Sequence, residues 1–142
     1  VIFDCSWYMP NEKKHPYREY KKKHIKNSFF FNIDKISKLD CNLPHMLPNI
    51  EFFTEKIKYF NIHKSTKIIT YSSNSFLGSA RVWWMFKYFG FENICVLNGG
   101  LRKWRSENRK TSKKLPKKNK ITYNFFINKN WLADSEEIKK NL

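Results

Sequence analysis

The stretch from Tyr71 to Arg81, Tyr-Ser-Ser-Asn-Ser-Phe-Leu-Gly-Ser-Ala-Arg, holds the residue types best suited to chemistry. The β-branched run Lys67 to Tyr71 before it reads as a strand. The apolar run from Ala80 to Phe89 after it reads as a helix ended by Gly90. Between them lie Ser72, Ser73, Asn74, Ser75 and Gly78, interrupted only by Phe76 and Leu77. A strand that passes through small residues into a helix aims backbone N–H groups at one spot, which suits an anion. In an open α/β sheet the carboxyl end of a strand is also where sites form. A plain connection has the same composition, so the loop alone does not separate the two readings. Arg81 suits a carboxylate or sulfo group, or equally a structural pairing.

The three cysteines, Cys5, Cys41 and Cys95, lie outside this loop and show no CxxC and no metal-type spacing. Neither a metal nor an organic cofactor is expected. An odd number of cysteines fits a reducing compartment better than a disulfide framework. Cys5 and Cys95 sit in apolar runs and are expected to be buried thiols. A serine hydrolase built on Ser72 or Ser73 with His45 and Asp34 would want a G-x-S-x-G elbow, which is absent. Taken singly, Asp34 reads as the cap of a following turn and His45 as a loop histidine between Pro44 and Pro48. His24 is expected to shape the fold, and His15 and His63 to lie on the surface.

The elements that would position these groups alternate. Residues 1–5 and Phe29 to Phe31 read as strands, and Pro16 to His24 as a short charged helix with proline at its start. Asn49 is a plausible N-cap, followed by Phe53, Ile57 and Phe60 on one helical face. Ile94 to Leu97 is another strand, and Asn98-Gly99-Gly100 turns into a helix around Trp104. This order implies an α/β fold, a mainly parallel sheet with helices on both faces. Residues 109–130 read as a basic linker, and a capped helix after Trp131 reads as the opening of a further domain.

The 142 residues suffice for one domain with a real core. No apolar run is long enough to span a membrane. The formal charge is +16, but its placement is uneven. Residues 1–100 carry a net +7, while residues 101–120 alone carry +9. A solvated basic linker accounts for such a tract. Without an accompanying recognition motif, nucleic acid is not an expected partner.

Several segments together resemble the first half of the tandem-domain rhodanese family, the thiosulfate and 3-mercaptopyruvate sulfurtransferases. They are Asp4 to Pro10, His24-Ile25, Phe31 to Asp34, Pro44-His45-Met46-Leu47-Pro48, Arg81 to Phe86 and Leu97 to Trp104, in order over roughly residues 1–105. The resemblance implies a rhodanese-like domain at 1–108, a non-catalytic copy, with 131–142 beginning a second, truncated one. It implies a protein that moves sulfane sulfur from 3-mercaptopyruvate or thiosulfate to a thiol or cyanide. The sulfur would ride on a cysteine persulfide in a missing C-terminal half, a low-pKa thiolate being the nucleophile this chemistry needs.

The same resemblance puts Ser72 where that cysteine would stand, making Ser72, Ser73, Asn74, Ser75 and Gly78 a degenerate active loop. The piece by itself is then expected to be inactive. Trp7, Phe76 and Leu77 would line the substrate site, and Asp34 and His45 would play supporting acid–base roles. The partners implied are a C-terminal rhodanese domain of the same chain, a sulfur donor and an acceptor; the location expected from the cysteine usage is cytoplasmic, or mitochondrial in a eukaryote. The Pro-His-Met-Leu-Pro context leans toward mercaptopyruvate. The alternative is a stand-alone inactive rhodanese-like binding module.

Overall fold

The computed structural model describes residues 1–142. Its central sheet contains β1 (Ile2–Asp4), β3 (Ser28–Phe30), β4 (Ile68–Tyr71) and β5 (Ile94–Val96), in the order β3-β1-β4-β5 and all parallel. Phe3 lies opposite Phe29 on one side and Thr70 on the other, and Asp4 opposite Phe30 and Tyr71. Because the strands run the same way, the segments after Asp4, Phe30, Tyr71 and Val96 all emerge at one edge. The helices are α1 (Pro16–Lys22), α2 (Ile50–Ile57), α3 (Leu77–Tyr88), α4 (Gly100–Ser106) and α5 (Ser135–Lys140). A small antiparallel pair joins β2 (His24–Ile25) to β6 (Thr111–Ser112). The chain thus has the expected α/β rhodanese-like architecture.

Two cores hold the layers together. The larger one joins sheet residues such as Phe3, Phe29 and Ile68 to Phe53 and Ile57 of α2 and to Val82, Met85 and Phe86 of α3. Its aromatic rings meet in favourable geometries, with Phe53 stacked on Phe89 at 4.0 Å and Phe3 edge-on to Phe60 at 5.1 Å. The smaller core joins Ile25, Tyr71 and Leu101, with Ile2 and Trp104 against it. Each fully buried Phe or Ile side chain contributes about 1.5–3 kcal/mol relative to exposure. Asn49 caps α2 as expected, its Oδ1 accepting from the Phe52 N–H at 2.8 Å. Helix α3 starts at Leu77, ahead of the expected Ala80, because Ser72 Oγ and the Phe76 carbonyl accept the N–H groups of Ser79 and Ala80.

The basic segment after Asn108 is not a free linker. Thr111 and Ser112 pair with β2, and His24 Nε2 lies 3.1 Å from the Lys114 carbonyl. Asn119 forms a bridge with Phe60, and the Ile121 N–H donates to the Lys58 carbonyl at 2.7 Å. Tyr123 packs on Phe91, while Phe125 enters the large core against Phe53. The Asn128 N–H then reaches the Tyr88 carbonyl, and Trp131 crosses Trp83 edge-on while its carbonyl accepts the Trp84 indole N–H. The lysines that make the segment read as solvated do face solvent, but every second residue from Tyr123 to Phe125 turns inward. Residues 111–131 are therefore a strap on the domain. A capped helix does follow, with Asp134 accepting from the N–H groups of Glu136 and Glu137, but it begins at Ser135 and buries no residue. No helix is long and apolar enough to cross a membrane.

Candidate active site at the carboxyl edge of the sheet

The segments leaving β1 and β4 are bound to each other by small polar side chains. Asp4 Oδ1 accepts from the N–H and the hydroxyl of Ser6, and Ser6 Oγ in turn accepts from the Ser73 N–H at 2.8 Å. Ser72 Oγ accepts from the Ser79 N–H at 3.0 Å and leans on the Cys5 carbonyl at 3.4 Å. The Ser72 carbonyl accepts from the Leu101 N–H, tying in α4. Gly78 must be glycine, since a Cβ there would fall 2.0 Å from the Cys5 carbonyl oxygen. Gly100, at φ +53°, faces the Ser72 carbonyl in the same way, with a would-be Cβ at 2.4 Å.

This packing alters the reading of the loop. Ser72 is buried and its hydroxyl caps α3, so it is a bracket rather than an exposed nucleophile. Two N–H groups of the expected anion cradle, those of Ser73 and Ser79, are taken by serine hydroxyls. No hydrogen bond joins His45 to Ser72 or Ser73, which removes the serine-hydrolase geometry. Asn74 donates to the Trp7 carbonyl at 2.9 Å and pulls the loop tip toward β1. Phe76 and Leu77 stand out from the surface, 71% and 60% exposed. The loop, with Leu97, Gly99, Gly100 and Arg102, borders a cavity of about 480 Å³.

Asp34 and His45 come together as expected. His45 Nε2 lies 2.8 Å from Asp34 Oδ1, and the Trp7 indole N–H donates to the same oxygen at 3.0 Å. The Trp7 and His45 rings meet edge-on at 5.0 Å. Asp34 is the first residue of a 3-10 turn, Asp34–Ile36, and caps nothing. With Nε2 donating to the carboxylate, His45 Nδ1 carries the lone pair that a proton transfer needs. His45 adopts a left-handed backbone, φ +58°. Its carbonyl is gripped by the Arg81 guanidinium, which also stacks over Trp84 at 4.5 Å. Burial lowers the Arg81 pKa from its ordinary value. Arg81 is thus in the structural role.

None of the three free cysteines lies in the loop. Cys5 is fully buried beneath it, and burial together with the nearby Asp4 charge pushes its thiol pKa well up. Cys41 and Cys95 are half-buried, so of the two expected burials only that of Cys5 is complete. His24 is buried between the Tyr20 and Lys114 carbonyls and shapes the fold.

A parallel α/β sheet with a short polar loop feeding a helix at its carboxyl edge belongs to the α/β class in which sites form at that edge. Residues 2–107 match the rhodanese-like domain family, and the chain belongs to it. It is 43% identical over 105 residues to thiosulfate/3-mercaptopyruvate sulfurtransferase 1, mitochondrial, of Arabidopsis thaliana, covering 74% of this chain and 28% of that protein. It is 32% identical to human 3-mercaptopyruvate sulfurtransferase, over 99% of this chain and 48% of the human one. The crystal structure of a 3-mercaptopyruvate sulfotransferase from Escherichia coli superimposes with a TM-score of 0.90 at 25% identity, covering 98% of this chain and 53% of that one. The chain therefore spans between about a quarter and about half of the length of these relatives.

These matches correct the assignment to one half of a tandem protein. They identify one rhodanese-like domain on this chain, over residues 2–107, and the match to the human relative covers 99% of the chain, strap included. The descriptions as a tandem repeat, a fragment and a non-catalytic copy, with a second rhodanese domain of the same chain as partner, are therefore not carried further; what the matches show on this chain is a rhodanese-like domain of sulfurtransferase kinship. The expected inactivity, and the inactive binding module offered as its alternative, are set aside with them.

Proposed function

We propose that this domain serves sulfur transfer of the rhodanese type, on a small sulfur-bearing anion of the 3-mercaptopyruvate or thiosulfate class. The observation that carries the reading is the Trp7–Asp34–His45 cluster at the sheet edge, beside the loop of Ser72 to Gly78. With 3-mercaptopyruvate, a thiolate acceptor attacks the sulfur, the S–S bond forms as the C–S bond breaks, and the electron pair passes to the enolate of pyruvate. The enolate carbon then takes a proton. His45, oriented by Asp34, is the group that delivers or relays it, while Trp7, Phe76 and Leu77 shape the binding face. The loop serines and Gly78 hold the bend that the face is built on. The unpaired thiols fit a reducing setting, cytoplasmic or mitochondrial.

The indole N–H resonance of Trp7 gives a direct test. Adding 3-mercaptopyruvate or thiosulfate should shift it together with the His45 ring signals, saturably. If both stay fixed while other residues move, the anion binds elsewhere and the reading fails.

A further inference from the structure

The last turn of α1 and the exposed face of α4 border one groove of about 910 Å³, separate from the Trp7–Asp34–His45 corner. Five cations line it: Lys22 and Lys23 from the α1 side, Arg102 and Arg105 from α4, and Arg109 just beyond. Arg109 is paired with Glu107 at 2.6 Å. The other four have no carboxylate within 4.0 Å. Arg102 and Arg105 sit three positions apart on one helical face, where like charges repel.

The carboxylates in the groove do not answer this charge. Glu19 accepts the Tyr8 hydroxyl at 2.5 Å, and Asp4 is buried and bonded to Ser6. The groove is a small polar basin with a surplus of fixed positive charge.

The geometry points to this groove as a binding site for a small oligophosphate, a compact ligand with adjacent phosphoryl groups. Guanidinium forks match phosphate oxygens bidentately, and two lysines nearby supply further charge. The volume falls within the range of small-molecule sites. Only three of its 15 lining residues are hydrophobic, which leaves no seat for a lipid tail or an apolar side chain. Single-stranded nucleic acid would want open aromatic platforms, whereas Tyr8 is tied to Glu19 and Tyr20 is buried with its hydroxyl on the Ser28 carbonyl. Ser73 and Arg102 border both this groove and the loop cavity, so an occupant would lie next to the loop.

Calorimetric titrations at fixed ionic strength test the assignment, using inorganic tripolyphosphate, a nucleoside triphosphate and a short single-stranded RNA. Tripolyphosphate is expected to bind at one site. The double variant Arg102→Gln/Arg105→Gln should weaken it by about tenfold or more, a loss of ~1.4 kcal/mol. The pair Lys139→Gln/Lys140→Gln, which does not line the groove, should change it less than about twofold, since exposed charges that make no contact with a ligand are largely screened. Equal affinity for the triphosphates assigns recognition to the phosphate chain alone; tighter nucleotide binding adds the nucleoside to the same site. The proposal is overturned if tripolyphosphate shows no saturable binding, if the RNA binds and tripolyphosphate does not, or if both variant pairs lose affinity equally. Unchanged melting temperatures of the variants would separate loss of the site from loss of the fold.

Discussion

Replacing Phe125 by alanine tests whether the basic strap belongs to the fold. The ring is 9% exposed and meets Phe53 at 5.0 Å, Phe86 at 6.3 Å and Tyr123 at 4.6 Å. Phe53 is itself stacked on Phe89, so the cavity would open into the main core. Phe→Ala changes in cores cost about 3–5 kcal/mol. Phe125 lies on a segment without regular structure that can settle partly into the gap, so the lower end, about 3 kcal/mol, is expected. For a chain of this size that corresponds to a drop in Tm of roughly 10 °C. Urea unfolding followed by circular dichroism should show a lower midpoint at unchanged slope. Phe126 is the control: it lies over Gly90 but is 56% exposed, and its alanine variant should cost below about 1 kcal/mol. If Phe125→Ala costs no more than Phe126→Ala, the strap is a linker after all and its packing contributes nothing.

Two further outcomes follow from the buried groups under the loop. Burial raises the Asp4 pKa above its ordinary 3.8, so the folded chain holds that proton more tightly than the unfolded chain. Stability should therefore fall as pH rises from the unfolded value through the raised folded one. Asp4→Asn keeps the Oδ1 acceptor for Ser6 and should flatten that fall, as read from urea midpoints across acid to neutral pH; an unchanged slope would show that Asp4 is not its source. Thiol labelling of the native protein, followed by peptide mass spectrometry, should modify Cys41 and Cys95 well before Cys5, and equal rates would mean the loop opens readily.

Much of the fold was legible because its signals are local and redundant. The strands at Ile68–Tyr71 and Ile94–Val96 are short β-branched or apolar runs between turn residues, and Asn49 announces α2 by its type and place. The strap was not, because lysine composition masks the inward residues Tyr123 and Phe125, and the two-residue pair of β2 with β6 is too short to leave a pattern. At the site, the nearness of Asp34 and His45 came from family resemblance, since eleven residues of separation carry no periodic signal. The indole N–H of Trp7 as a further donor to Asp34, the grip of Arg81 on the His45 carbonyl and the left-handed backbone of His45 are tertiary facts. Pro44 and Pro48 hint only that the histidine's loop is constrained.

The acid–base pair is the center of the account, and steady-state sulfur transfer from 3-mercaptopyruvate to a thiol by the full-length protein tests it most directly. His45→Ala should lower kcat by about a hundredfold or more and abolish the histidine limb of the pH profile, with Asp34→Asn lowering kcat less and shifting that limb. Rates within about twofold of the unaltered protein, with the same pH profile, would contradict it.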